Sequence, residues 1–231
     1  MELLHFTGQV WRPPYEASSQ LLQVTAGCTH NKCKFCSLYH GTKFRLSPIA
    51  EVEEDLKVIQ DYQPRARRVF LTGANPFALS YNRLLDLGLL IRKYLRHCES
   101  IGMFARISDI KPKTVEELKN LRHLGFDGIS IGTESGDDDT LAAMNKGYTA
   151  NDIIEQCKKL EEANIRYNLV YLTGLAGKGK GKRNAINTAN VFNQLSPFTV
   201  NFVSLTVFSE SELYEEIQRG SFVAVSYTHL R

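Results

Sequence analysis

The sequence is short of the features that would place a protein in a membrane, outside the cell or on nucleic acid. No stretch approaches the run of about 20 apolar residues that a spanning helix needs, and the start, Met1 to Trp11, lacks the basic-then-apolar pattern of a secretion signal. The expected location is the cytoplasm, with no membrane partner. Charge of one sign is scarce too: 28 Lys and Arg face 25 Asp and Glu, and a net +3 is too weak to nominate nucleic acid as a partner. Cysteines number five, an odd set without framework spacing, so reduced thiols free for metal are expected rather than disulfides. Internal repeats and low-complexity segments are missing. A phosphate-cradling Gly-x4-Gly-Lys-Ser/Thr loop fails at its last position, because Gly174, Gly179 and Lys180 fit but Gly181 stands where the magnesium-binding hydroxyl belongs.

What is present is a regular alternation in a chain of 231 residues, long enough for one large core. Leu21 to Val24, Val69 to Thr72, Met103 to Ile107, Gly128 to Gly132, Tyr167 to Leu172 and Val200 to Val207 read as six strands, and a helix candidate follows each of the first five. The first helix opens at Ser47 as N-cap with Pro48 at the first helical position and a stripe of Ile49, Val52, Leu56 and Ile59. Ser80 opens the second. Thr114 with Glu117 is a capping box, with a stripe of Leu118, Leu121 and Leu124 and Gly125 as left-handed stop. Thr149 with Asp152 repeats that start, and a fifth helix runs from about Asn184 to Leu195, before Pro197. The alternating glycine and basic stretch from Gly177 to Arg183 reads as a flexible solvated loop. Strand–helix repetition predicts a parallel sheet covered by helices, doubly wound or closed as a barrel, with ligands at the carboxyl ends of the strands in either case.

The loop directly after the first strand carries Cys28, Cys33 and Cys36, three thiols at the expected ligand end. Three nearby thiolates suit either an iron–sulfur cluster or zinc. A closed zinc site needs a fourth ligand, for which His30 and His40 are the nearby imidazoles, and a zinc-stabilised binding protein without turnover is the alternative class. Here the chain resembles the radical S-adenosylmethionine superfamily, whose first-strand loop has three cysteines with an aromatic residue before the last, in this sequence Phe35. The spacing Cys-x4-Cys-x2-Cys departs by one residue from that family's commonest Cys-x3-Cys-x2-Cys. The resemblance implies a partial (β/α)6 TIM-type barrel. It also implies a [4Fe–4S] cluster on Cys28, Cys33 and Cys36 whose fourth iron chelates S-adenosylmethionine, and a one-electron donor of flavodoxin or ferredoxin type. Cleavage of the sulfonium then gives a 5′-deoxyadenosyl radical that abstracts hydrogen from a substrate.

The same resemblance assigns further positions. Gly73, Ala74 and Asn75 stand in the turn where the family usually has Gly-Gly-Glu-Pro, so they are expected at the cofactor's methionine amino group, with an amide replacing the carboxylate. Glu134 and Ser135, in Gly-Thr-Glu-Ser-Gly after the fourth strand, are expected at its ribose or amino group. Arg106 could pair with the cofactor carboxylate or with a neighbouring helix. Thr173-Gly174-Leu175 would suit an adenine pocket, and Cys98 and Cys157, in helical contexts, take no ligand role. Residues 1–19 form a lead-in containing His5, Trp11, Arg12, Pro13 and Pro14, and residues 20–231 form the barrel. The lack of a sixth helix before Arg231 is read as truncation after the sixth strand.

Overall fold

Six parallel strands are paired in the order β1-β4-β5-β6-β7-β8 in the computed structural model, which describes residues 4–226 and the short strand His229–Leu230. They are β1 (Gln20–Gln23), β4 (Arg68–Thr72), β5 (Ser100–Ala105), β6 (Phe126–Glu134), β7 (Tyr167–Thr173) and β8 (Thr199–Ser204), with Leu22 opposite Leu71, Leu71 opposite Met103 and Leu169 opposite Val200. Strand order equals chain order, and helices link successive strands. This is the partial (β/α)6 barrel that the resemblance implies, one of the two architectures that the repetition allows. A small pair, β2 (Thr25–Ala26) and β3 (Arg45–Leu46), runs antiparallel beyond β1. Near the end, β9 (Thr206–Val207) pairs with β10 (His229–Leu230).

The helix starts follow local chemistry. In α2 (Tyr81–Tyr94) Ser80 accepts from the Arg83 N–H, and the capping boxes of Thr114 with Glu117 and Thr149 with Asp152 both form, opening α4 (Val115–His123) and α6 (Ala150–Glu162). The first helix differs from expectation. Pro48 has ψ 139°, outside the helical range, so α1 (Ile49–Tyr62) begins one residue later, Ser47 caps nothing with its side chain, and Ile49 is exposed. The buried stripe of α1 is Val52, Leu56 and Ile59. The third strand ends at Ala105 because Asp109 turns back to accept from the Arg106 N–H, which starts α3 (Ile107–Ile110) in place of further strand. The sixth run is broken at Leu205 into β8 and β9. The helix α7 (Gly181–Phe192) takes in the last three residues of the glycine and basic stretch, so only its first part is loop. Cys98 lies in the turn before β5 rather than in a helix, whereas Cys157 is within α6, and both are buried.

Two further helices lack an expectation, the second of them where no sixth helix was expected. The short α5 (Asp138–Ala143) follows β6, with Asp137 accepting from the Thr140 N–H, and α8 (Glu212–Gln218) follows β9, with Ser211 accepting from the Tyr214 N–H. Seven residues with three glutamates give too little periodicity to read. The helix α8 lies over the cysteine loop, not outside the sheet: Leu213 donates its N–H to Lys34 O at 2.8 Å and packs with Met144, Leu172, Leu175, Leu205 and Val207 in a second, smaller core. The main core spans β1, β4, β5, β6 and β7 with the inner faces of the helices. By contrast β8 is open, with Phe202 72% exposed.

Residues 4–19 lie against this frame. His5 meets Asp55 of α1, the Thr7 backbone exchanges two hydrogen bonds with the Gln23 side chain, and the Tyr15 hydroxyl is 2.7 Å from Ser130 Oγ. The first three residues of the expected lead-in, and Arg231 at the other end, fall outside the described residues. Among the described residues no helix is long and apolar enough to cross a membrane.

Candidate functional site

The antiparallel β2–β3 pair closes the ends of the cysteine loop. Gly27 sits at its neck with φ +71°, and any Cβ there would lie 2.7 Å from Thr42 O, so the two ends can approach only with glycine. Cys28, Cys33 and Cys36 are partly buried free thiols. They line one cavity of about 230 Å3 together with Trp11, Phe35, Leu38, Tyr39, Ala74, Phe104, Arg106, Glu134 and Lys146. Cys33 and Cys36 are held in a tight turn by the Cys36 N–H donating to Cys33 O at 3.1 Å. Burial pushes the Cys36 thiol up to about 11. It also raises Cys33, where Lys146 and Arg106 oppose it.

The neighbouring strand ends divide into residues that face the cavity and residues that do not. Gly73 has φ +135°, and a Cβ there would stand 2.0 Å from Thr25 Oγ1, so the turn after β4 lies directly on the start of the cysteine loop. Ala74 reaches the cavity. Asn75 does not: it is fully buried, its oxygen accepts from the Thr29 N–H at 3.2 Å, and its amide donates to Thr29 Oγ1 at 2.6 Å and Asp109 Oδ2 at 3.0 Å. The side chain expected at the cofactor instead ties the cysteine loop to α3. Ser135 also turns away, since its hydroxyl donates to Asn184 Oδ1 of α7 at 2.5 Å.

Glu134 and Arg106 stay on the cavity wall. Glu134, the last residue of β6 and still opposite Tyr171 of β7 after a register shift, occupies the left-handed region at φ +64°, costly for a non-glycine residue, and lines the cavity. Burial raises its pKa, with Lys146 pulling the other way from 3.7 Å. Arg106 donates to Ser108 Oγ at 3.0 Å and to Lys146 O, while its Nε is buried without a partner. The turn 144–148 completes the wall by clamping the cysteine loop at three points: Lys34 N–H to Met144 O at 3.2 Å, His30 Nε2 to Asn145 O at 2.7 Å, and Asn145 Nδ2 to Lys32 O at 3.0 Å. From the same turn Lys146 Nζ and the Tyr148 hydroxyl both donate to Gly132 O, at 3.0 and 2.8 Å.

The model of the Radical SAM superfamily matches residues 22–189, from within β1 into α7. The chain belongs to the radical SAM superfamily. A protein of Bacillus subtilis (strain 168) named heme chaperone HemW is 26% identical over 203 residues, which are 84% of this chain and 52% of that one. The tRNA-2-methylthio-N(6)-dimethylallyladenosine synthase of Dehalococcoides mccartyi (strain CBDB1) is 28% identical over 160 residues, 66% of this chain and 36% of the synthase. Among solved structures, the radical S-adenosylmethionine methyltransferase TsrM of Kitasatospora setae, with cobalamin and a [4Fe–4S] cluster bound, has TM-score 0.72 at 18% identity over 87% of this chain and 39% of that one. Methylornithine synthase (PylB) has TM-score 0.62 at 16% identity over 84% of this chain and 55% of that one. The chain spans about half, or less, of the length of the curated relatives it matches.

As in other radical SAM proteins, the cofactors are a [4Fe–4S] cluster and S-adenosylmethionine, and the donor set fits them. Three soft thiols share one cavity with largely apolar walls, and among the described residues no group of three or more His, Cys, Asp or Glu is arranged to hold a single metal ion. Three thiols lining one cavity suit the corners of a multi-iron cluster. His30, one of the two imidazoles considered for a zinc site, has its Nε2 engaged with Asn145 O at 2.7 Å.

Sequence reading missed two parts of the radical SAM site. Trp11 of the lead-in reaches the cavity, and nothing in a lone tryptophan among prolines signals that. The turn 144–148 did leave a trace, because Asn145 (φ +55°) and Gly147 (φ +76°) are residue types that accept left-handed backbone. That Lys146 between them is 4% exposed has no counterpart in the pattern.

Proposed function

We propose that this chain is the catalytic core of a radical SAM enzyme that abstracts hydrogen from its substrate, with Cys28, Cys33 and Cys36 as the cluster ligands. The observation that carries the proposal is the convergence on one cavity of the three thiols with Glu134 and Arg106, delivered by three different strand ends. The cluster and S-adenosylmethionine, when bound, supply a carbon-centred radical by one-electron cleavage of the sulfonium. The chain's own residues place and shield them. Glu134 offers a carboxylate, and the partnerless Arg106 Nε a donor, to the polar groups of the cofactor. The backbone of Gly73 and Ala74 borders its amino end, while Asn75 acts through Thr29 by fixing the cysteine loop. Trp11, Phe35, Leu38 and Phe104 exclude water from the reacting centre. The electron comes from a small donor protein of flavodoxin or ferredoxin type.

The test is anaerobic reconstitution with iron and sulfide, followed by addition of S-adenosylmethionine and dithionite. A broad visible charge-transfer band and release of 5′-deoxyadenosine are expected, both lost in the Cys28→Ala, Cys33→Ala, Cys36→Ala triple variant. A colourless zinc-loaded protein, unchanged in its behaviour toward cofactor by the triple substitution, would sink the proposal.

A further inference from the structure

An ammonium group is buried in the wall of the cysteine cavity. Lys146 Nζ donates to Gly132 O at 3.0 Å, stands 3.7 Å from Glu134 Oε1, and lies 5.5 Å from the ring centres of both Phe35 and Tyr148. The carbonyl takes one of its three donors, and the Glu134 oxygen is beyond hydrogen-bond reach. The ion pair with Glu134 is thus a loose one, and a buried ammonium held this way can interact with further negative charge on the site. Burial works against its charge, yet the groups around it, Tyr148 first and then Glu134 and Cys33, hold its pKa above the ordinary lysine value. Phe35, between Cys33 and Cys36 in sequence, brings the loop to that ammonium through the face of its ring. Lys146 lines the same cavity as the three thiols.

We propose that Lys146 sets the reduction potential of the iron–sulfur cluster, its fixed positive charge favouring the reduced, more negative form; this rests on the cluster assignment above. The step is a one-electron transfer in which the cluster gains the electron that the donor loses, so its net charge falls by one and the attraction to Lys146 grows. Net charge near the cluster is among the levers that set such potentials, and in a dry cavity a neighbouring charge is weakly screened. The backbone that carries Lys146 is fixed independently of its side chain, by Arg106 donating to Lys146 O and by the Asn145 contacts with the loop. Lys146 acts as a positioning and charge-setting residue; it is not assigned the cutting of any bond.

The experiment is a redox titration of the reconstituted cluster, without S-adenosylmethionine, followed by electron paramagnetic resonance in wild type, K146M and K146R. K146M is expected to lower the equilibrium constant for reduction about tenfold, a shift of about 59 mV to more negative potential for one electron. K146R keeps the charge and is expected to stay near wild type. If K146M does not fold, K146Q, neutral and polar, carries the same comparison. A potential unmoved in the neutral variants, or moved equally in K146R, overturns the inference while leaving the cluster in place. A wild-type chain that takes up no iron overturns the cluster assignment itself, and the inference with it.

Discussion

At the amino-terminal end of the sheet, Arg68 closes a two-pronged pair on the buried Glu16, at 2.7 and 2.5 Å, and also reaches Ser100 Oγ and Asp127 O. Beside it Asp127 accepts from the Arg166 backbone and guanidinium. At the carboxyl end of the same strands the buried polar groups are under-satisfied. Thr25 Oγ1, Thr72 Oγ1 and Arg106 Nε have no partner, Lys146 and Glu134 meet only at 3.7 Å, and Glu134 sits in strained backbone. Buried polar groups without partners cost free energy. Their gathering at one end marks where the fold leaves room for something other than itself. Charge is tightly paired at one end, while at the other a loose Lys146–Glu134 pair and a partnerless Arg106 Nε lie at the cavity.

The comparison breaks most severely at Arg68. Truncation in Arg68→Ala leaves Glu16 buried without its partner, and removing one member of a buried pair costs about 3–5 kcal/mol. The expected result in denaturant unfolding is a lower midpoint, with iron content per folded molecule unchanged. A drop in iron bound by the folded fraction would show that the two ends are coupled.

A smaller effect is expected at Gly73. An alanine Cβ would strike Thr25 Oγ1 and carbonyl in a left-handed backbone, a strain of about 1–3 kcal/mol. Because Thr25 leads into the cysteine loop, Gly73→Ala is expected to cost cluster loading beyond its cost in stability, the reverse of Arg68→Ala. Asn145→Ala is milder. It removes the hydrogen bond to Lys32 O and the residue type that tolerates φ +55°, for about 1 kcal/mol, and is expected to slow iron uptake measured by absorbance while the thermal midpoint shifts little.

The fold was legible because each strand–helix unit repeats the same signals: Thr114 and Thr149 announce their capping boxes and the apolar stripes face one way. The cysteines were legible because no core segment carries three thiols among Thr29, His30, Asn31 and Lys32. The rest depends on which side of a turn a side chain takes. Asn75 and Ser135 stand in the expected turns, yet partners distant in sequence, Asp109 and Asn184, draw them away from the cavity. Lys146 gave no signal because a lone lysine between Asn145 and Gly147 reads as a solvated turn residue. Only the convergence of Gly132, Phe35 and Tyr148 around it, set by tertiary packing, makes it buried.

The least costly test concerns a charge that belongs to neither end. His5 Nδ1 lies 2.8 Å from Asp55 Oδ1 and its other nitrogen 3.7 Å from Glu54, pinning the lead-in to α1 while the ring stays 43% exposed. The hydrogen bond to Asp55 raises the His5 pKa above its ordinary 6.5, with the charges of Asp55, Glu51 and Glu54 adding to it. A base whose folded pKa is raised contributes stability that is fully present below its unfolded value and lost as pH rises through the folded one. Anchoring of the lead-in, which carries Trp11 to the cavity, should therefore weaken as pH rises above 6.5 through the raised folded value. Following the His5 ring protons by NMR is expected to give a midpoint above 6.5 that returns toward it in Asp55→Asn. A midpoint at the ordinary value in the wild type would mean that the hold of the lead-in on the barrel, through its Thr7, Tyr15 and Glu16 contacts, is indifferent to the charge of His5.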